Sequence, residues 1–182
     1  MKICDAHIHT GQDYFYYHVK DFMEFEFPLI KLVNRMNENG ISKSIVAWCP
    51  SIKEITCCSS ADLIRKGRKI ISKCPKCGKI LAVLDHDPYR SYNLRLIEDI
   101  KLNRFEDKIT PFFIIHMQNP FIREEIDFYL KKYPKFGLKF HTLVSRRSIN
   151  SIKGQLKGIN LPILVHSGPE TFCQVKALLK KA

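Results

Sequence analysis

Apolar runs of strand length alternate with segments of helical periodicity along almost the whole chain, and no other feature restricts its fold so strongly. KICDAHIHTG, ISKSIVAWCP, ITPFFIIHMQNP, FGLKFHTL and LPILVHSG read as strands, and a further apolar strand follows the cysteines of CPKCGKILAVLDHDPY. Predicted helices lie between them. Leu29, Ile30, Leu32, Val33 and Met36 recur at helical spacing before Gly40 as a stop, and Leu94, Ile97 and Ile100 do so within YNLRLIEDIKLNRF. IREEIDFYLKKYP, SINSIKGQLKG and PETFCQVKALLKKA read as further helices, and SSADLIRKGRKIISK as one opened by Ser60 with Gly67 in its middle. Such alternation implies right-handed βαβ units, hence an α/β fold with a parallel sheet covered by helices. No repeat or linker divides the sequence, so residues 1–182 are expected to form a single domain.

With 182 residues, 45% of them hydrophobic, the chain can bury one sizeable core. No apolar run reaches the roughly 18 to 20 residues of a membrane span, and the first strand starts without a basic-then-apolar leader, so a soluble, cytoplasmic protein is expected. Seven cysteines, an odd number, point to thiols or metal sulfurs rather than disulfides. The net charge of +12 comes from scattered basic residues, mostly lysines on polar helix faces, without an arginine-aromatic platform. A solvated surface is therefore the favoured reading, and nucleic acid is not an expected partner.

The histidines carry the chemistry. In a strand of period two, Asp5, His7 and His9 share one face, which aims both imidazoles at one point. That is the arrangement a shared metal needs, and His7 and His9 are candidate ligands of a divalent ion, with zinc expected. Asp5 would accept a ring N–H and fix a tautomer. His116 ends PFFIIH, Lys139 and His141 end GLKFH, and His166 ends ILVH. The carboxyl ends of parallel strands share one edge of the sheet, so these residues can converge although distant in sequence. A single strand-end histidine such as His116 is more often a hydrogen-bonded boundary residue.

These segments resemble the amidohydrolase superfamily of metal-dependent barrel hydrolases, and most closely its amidohydrolase-related branch, which includes nonoxidative decarboxylases. DAHIHTG is similar to the first-strand D-x-H-x-H motif, FGLKFH to the fourth-strand segment with its lysine, and LPILVHSG to the fifth strand. The resemblance implies His7, His9, His166 and Lys139 as metal ligands, Lys139 as a carboxylated bridge or as a plain cation. His141 or His116 would orient a small-molecule substrate or donate a proton. The implied activity is hydrolysis of an amide, ester or lactone by metal-activated water. Alternatives are nonoxidative decarboxylation, a phosphoesterase with the same D-x-H-x-H motif, a catalytically incomplete fragment, or a nucleic-acid-binding module that would leave the histidines unexplained. A complete barrel takes about 200 to 250 residues, so the expectation is an incomplete (β/α) TIM-barrel-like fold of about five to six βα units. It would form a homo-oligomer or pair with a missing C-terminal half.

CPKCGK is the tight turn used by zinc ribbons, and Cys57 and Cys58 precede Cys74 and Cys77 by a short stretch. Residues 57–80 are therefore a candidate cysteine-rich insertion with a structural zinc on Cys57, Cys58, Cys74 and Cys77. Asp85, His86 and Asp87 follow it, as a turn or at the mouth of the pocket, the turn being favoured.

Overall fold

A computed structural model describes residues 3–12, 26–48 and 61–166, with the side chains of 3, 5–12, 26–27 and 143–144 excepted. Among the described residues the strands form two sheets. The larger is ordered β2-β1-β3-β7-β8-β9, built from β1 (Ile3–Gln12), β2 (Glu26–Phe27), β3 (Ile41–Trp48), β7 (Ile109–Ile114), β8 (Gly137–His141) and β9 (Ile163–His166). Its neighbouring strands β1, β3, β7, β8 and β9 are parallel and follow one another in sequence order, while β2 pairs antiparallel with the end of β1. A doubly wound sheet would reverse its order at a switch point. Among the five parallel strands the order never reverses, and the sheet curls like part of a barrel.

One face of this sheet carries the helices. α1 (Leu29–Glu38), α2 (Arg90–Leu102) and α3 (Ile122–Lys132) turn Leu32, Met36, Leu96, Ile100, Ile126 and Tyr129 into a common core. Val46 and Trp48 of β3, Phe113 of β7, and Leu138 and Phe140 of β8 meet them there. The alternate residues Ala47, Phe112 and Ile114 form a smaller cluster on the opposite, concave face. Gly137, the first residue of β8, lies so near β7 that a Cβ on it would overlap the Phe112 ring. A Gly137→Ala variant is therefore expected to lose about 1–3 kcal/mol of stability, read from its urea midpoint; an unchanged midpoint would mean that the ring swings aside freely.

The alternation fails in one place. The helix predicted over SSADLIRKGRKIISK is instead a hairpin of β4 (Asp62–Lys66) and β5 (Lys69–Lys73), with Lys66 opposite Lys69 and Gly67 in the left-handed region at φ +61°. Gly67 is the turn that a helix would have had to tolerate, and Ile64, Ile70 and Ile71 are β-branched residues that suit strands. The apolar strand after the cysteines, β6 (Ile80–Leu84), joins this hairpin as a separate sheet ordered β4-β5-β6 and does not enter the core. Among the described residues the three strands of this sheet run from 62 to 84, and they contain Cys74 and Cys77 of the expected insertion 57–80.

Further expectations are adjusted or lie beyond the described residues. β7 ends at Ile114, so His116 stands two residues past the strand, in the loop before α3. SINSIKGQLKG forms only a single turn of 3-10 helix at Ile149–Ile152, broken before Gly154 and Gly158, the latter at φ +76°. The predicted closing helix, the cap Ser60, and Cys57 and Cys58 lie outside the described residues. Among the described residues no helix is long and apolar enough to cross a membrane.

Candidate active-site face

β8 and β9 run side by side with Lys139 opposite Leu164 and His141 opposite His166. Leu138, Phe140 and Val165 face the helices, so Lys139, His141 and His166 fall on the concave face, at the carboxyl ends of their strands. The two imidazoles stack, with ring centroids 4.2 Å apart and planes 16° from parallel. Thr142 Oγ1 donates to the His166 carbonyl at 3.1 Å and ties the two strand ends together. Lys139 is buried, pointing to the same face as Ile114 across the β7–β8 ladder.

Burial, the neighbouring His166 and Lys139 together hold the His141 pKa down to about 3. Burial and Lys139 lower that of His166. Both rings are therefore neutral at pH 7, the protonation state in which imidazole binds a metal. The donor type fits a divalent ion, but among the described residues no group of three or more His, Cys, Asp or Glu side chains is arranged to hold one.

The other predicted ligands lie on β1. His9 is in register with Ala47, a residue of the concave-face cluster. His7 falls between the pairs Asp5–Ser44 and Ile8–Val46, where three steps of β1 run against two of β3. This bulge interrupts the simple period-two count from Asp5 to His9. The side chains of Asp5, His7 and His9 are outside those described.

His116 is fully buried beside the Tyr89 ring, with centroids 6.0 Å apart. Its Nδ1 accepts the Gln118 backbone N–H at 3.2 Å, which leaves Nε2 as the protonated nitrogen. Burial lowers its pKa to about 4, only partly offset by Asp62. Gln118 in turn joins the insertion to the sheet: its amide oxygen accepts Leu63 N–H at 2.9 Å, and its Nε2 donates to the Ser145 carbonyl at 2.8 Å. An Arg146–Asp62 ion pair closes the same seam.

A polar network unforeseen in the sequence lies behind this loop. Arg90 of α2 grips Glu125 of α3, Nε to Oε1 at 2.9 Å and Nη2 to Oε2 at 2.6 Å. Glu125 also accepts the Asp87 backbone N–H at 3.3 Å. Asn93 donates to the Ile114 carbonyl at 2.8 Å and to Tyr129 Oη at 2.9 Å. Of the three residues after β6, Asp85 is exposed and His86 half-buried at a turn, whereas Asp87 is completely buried. An open cleft of about 440 Å³, lined by Asp85, His86, Arg90, Phe121 and Glu125 among others, borders the network.

Two of these groups give stability a pH dependence of opposite sign. Below about pH 6.5 the unfolded chain protonates a histidine that the fold keeps neutral down to about 4, so His116 costs stability as pH falls through that window. Asp87, whose pKa is raised to about 7 from 3.8, is protonated in the fold where the unfolded chain has released its proton, so it adds stability as pH falls from 7 towards 4. A His116→Gln variant is expected to flatten the acid limb of a stability–pH curve measured by urea unfolding; an identical limb would contradict the neutral assignment.

These elements define a class before they define a relative: a parallel, singly wound sheet curled like part of a barrel, with histidines at its carboxyl ends. No protein-family model and no curated protein matches the sequence. Among solved structures the chain is similar to a probable 2-pyrone-4,6-dicarboxylic acid hydrolase from Acinetobacter baumannii, crystallised with citric acid bound. The TM-score is 0.54 and the identity 12%, over 100% of this chain and 55% of that one. The chain thus spans little more than half the length of that protein, and at this identity the likeness is one of fold.

Proposed function

We propose that this face belongs to a metal-dependent hydrolase acting on a small carbonyl compound, an amide, ester or lactone. The observation that carries the reading is the pair of neutral, stacked imidazoles of His141 and His166 beside buried Lys139 at the carboxyl ends of parallel strands. The similar fold of a probable hydrolase of a dicarboxylated pyrone supports it and favours a lactone bearing carboxylates. His7, His9, His166 and Lys139 would hold a divalent ion, zinc being the expected one, with Asp5 accepting a ring N–H of a ligand. Bound there, zinc would supply acidified water and a polarised carbonyl.

The chain's own groups do the rest. His141, neutral and next to His166, orients the substrate, and His116 offers Nε2–H as a hydrogen-bond donor to it. Lys139 either supplies a carboxylated oxygen or, as an ammonium, holds a substrate carboxylate; the intact mass of the native protein separates the two. On a panel of carboxylated lactones, hydrolysis is expected to vanish on chelation, return with zinc, and fall more than about 100-fold in His166→Ala. Turnover indifferent to chelation would overturn the reading.

A structural zinc on Cys57, Cys58, Cys74 and Cys77 belongs to the same proposal. Cys74 and Cys77 occupy the β5–β6 turn, where Cys74 N–H donates to the Lys79 carbonyl at 2.8 Å and Gly78 N–H to the Cys74 carbonyl at 2.9 Å. Asp62 pairs with Lys73, which brings the chain ahead of β4 to Ala61 beside this turn. Cys57 and Cys58 precede Ala61 by four and three residues, a reach of at most about 15 Å.

A further inference from the structure

The carboxylate of Asp87 closes the loop that carries His116. Its Oδ1 accepts the Tyr89 N–H at 2.9 Å, and its Oδ2 accepts the His116 backbone N–H at 3.0 Å and Asn119 Nδ2 at 2.8 Å. Asn119 Oδ1 then accepts the Phe121 N–H at 2.8 Å, at the entry to α3. Both ends of the stretch from His116 to Asn119 hang on one side chain, and within that stretch Gln118 N–H sets the tautomer of His116.

We propose that Asp87 is the positioning residue for the His116 imidazole, its ionised carboxylate holding the loop in the shape that directs Nε2–H as a hydrogen-bond donor. The inference rests on the reading of His116 as a group of the active site. An ionised carboxylate only accepts, and all three of its partners are N–H donors. A protonated acid accepts these bonds more weakly and adds a donor that none of the three partners can accept, and an amide replaces one of the two oxygens by a donor. Other groups face Asp87 from every element around it: Glu125 and Tyr129 from α3, Arg90 from α2, and His86 from its own loop, whose Nδ1 contacts the Asp87 carbonyl at 2.9 Å. Burial and Glu125 oppose ionisation, while the three hydrogen bonds favour it, leaving the pKa at about 7. The loop is thereby poised between its two hydrogen-bonding states near neutrality.

Nitrogen-15 NMR on the metal-free chain, in a His86→Gln background that removes the neighbouring imidazole, tests this without substrate. The His116 amide and ring nitrogens are expected to shift together with one midpoint near 7. Asp87→Asn is expected to abolish that midpoint, and Asn119→Ala, which removes a bond favouring ionisation, to raise it. Signals that stay flat between about pH 5.5 and 8.5 would overturn the proposal. So would a midpoint unmoved in Asn119→Ala, which decides the matter even if Asp87→Asn does not fold. A chain that hydrolyses nothing yet shows this titration counts against the hydrolase reading alone.

Discussion

An Arg90→Met variant is expected to lose about 3–5 kcal/mol of folding stability, because it leaves the buried carboxylate of Glu125 without its counter-charge. Glu125 is only 2% exposed, and Arg90 is its bidentate partner. Methionine keeps an apolar stem beside the Phe128 ring, over which the guanidinium now sits at 4.2 Å, so the loss reports charge more than packing. Asp87 aggravates it, since Glu125 already pushes that carboxyl towards its protonated form. Replacing both members, as Arg90→Met with Glu125→Leu, should recover most of the stability, because removing a whole buried pair is far less costly than orphaning one member. Urea unfolding of the three proteins measures both effects. A loss below about 1 kcal/mol in the single variant would mean that water or another group replaces Arg90 at the Glu125 carboxylate.

Phe113→Ala is expected to be comparably severe, at about 3–5 kcal/mol. Phe113 lies on β7, the middle of the five parallel strands, and is fully buried. Its ring stacks on Phe136 at 4.7 Å, meets Tyr129 at 4.7 Å and stands edge-on to Tyr133 at 6.4 Å. Truncation empties the centre of an aromatic cluster bounded by α3 and β8, which cannot collapse without moving the strand ends that carry His141. The variant should therefore also lose stability at an unchanged denaturant slope; a lowered slope would show that the native sheet had loosened.

What the sequence reveals divides along physical lines. Core strands and α1, α2 and α3 are legible because each buries a face whose period, two or 3.6, is written in its apolar residues. The hairpin of β4 and β5 is not, since Leu63, Ile64, Ile70 and Ile71 satisfy both periods and a single left-handed Gly67 decides between them. The same misreading hid that Arg65, Lys66, Arg68 and Lys69 gather at one hairpin tip. β6 is apolar enough to pass for a core strand, yet Ile80 and Val83 are exposed on the insertion.

The site divides in the same way. His141 and His166 could be paired from sequence because parallel strands align their carboxyl ends. Asp87 could not, because Asp-Pro before a helix reads as a turn, which it is, through its bond to Tyr89, while its other oxygen serves the neighbouring loop. Glu125 carries a signal in the sequence. It falls with Ile122, Ile126 and Tyr129 on the buried stripe of α3, and an acid on such a stripe needs a buried partner.

The central claim is that the carboxyl ends of these strands hold a divalent ion, and metal content per chain, on protein purified without added metal, tests it most directly. The wild type is to be compared with His7→Ala/His9→Ala, with His166→Ala and with Cys74→Ser/Cys77→Ser. The expected result is metal lost in both histidine variants and, separately, metal lost in the cysteine variant. Metal fully retained in the histidine variants and lost only with the cysteines would assign all of it to the insertion and contradict the account.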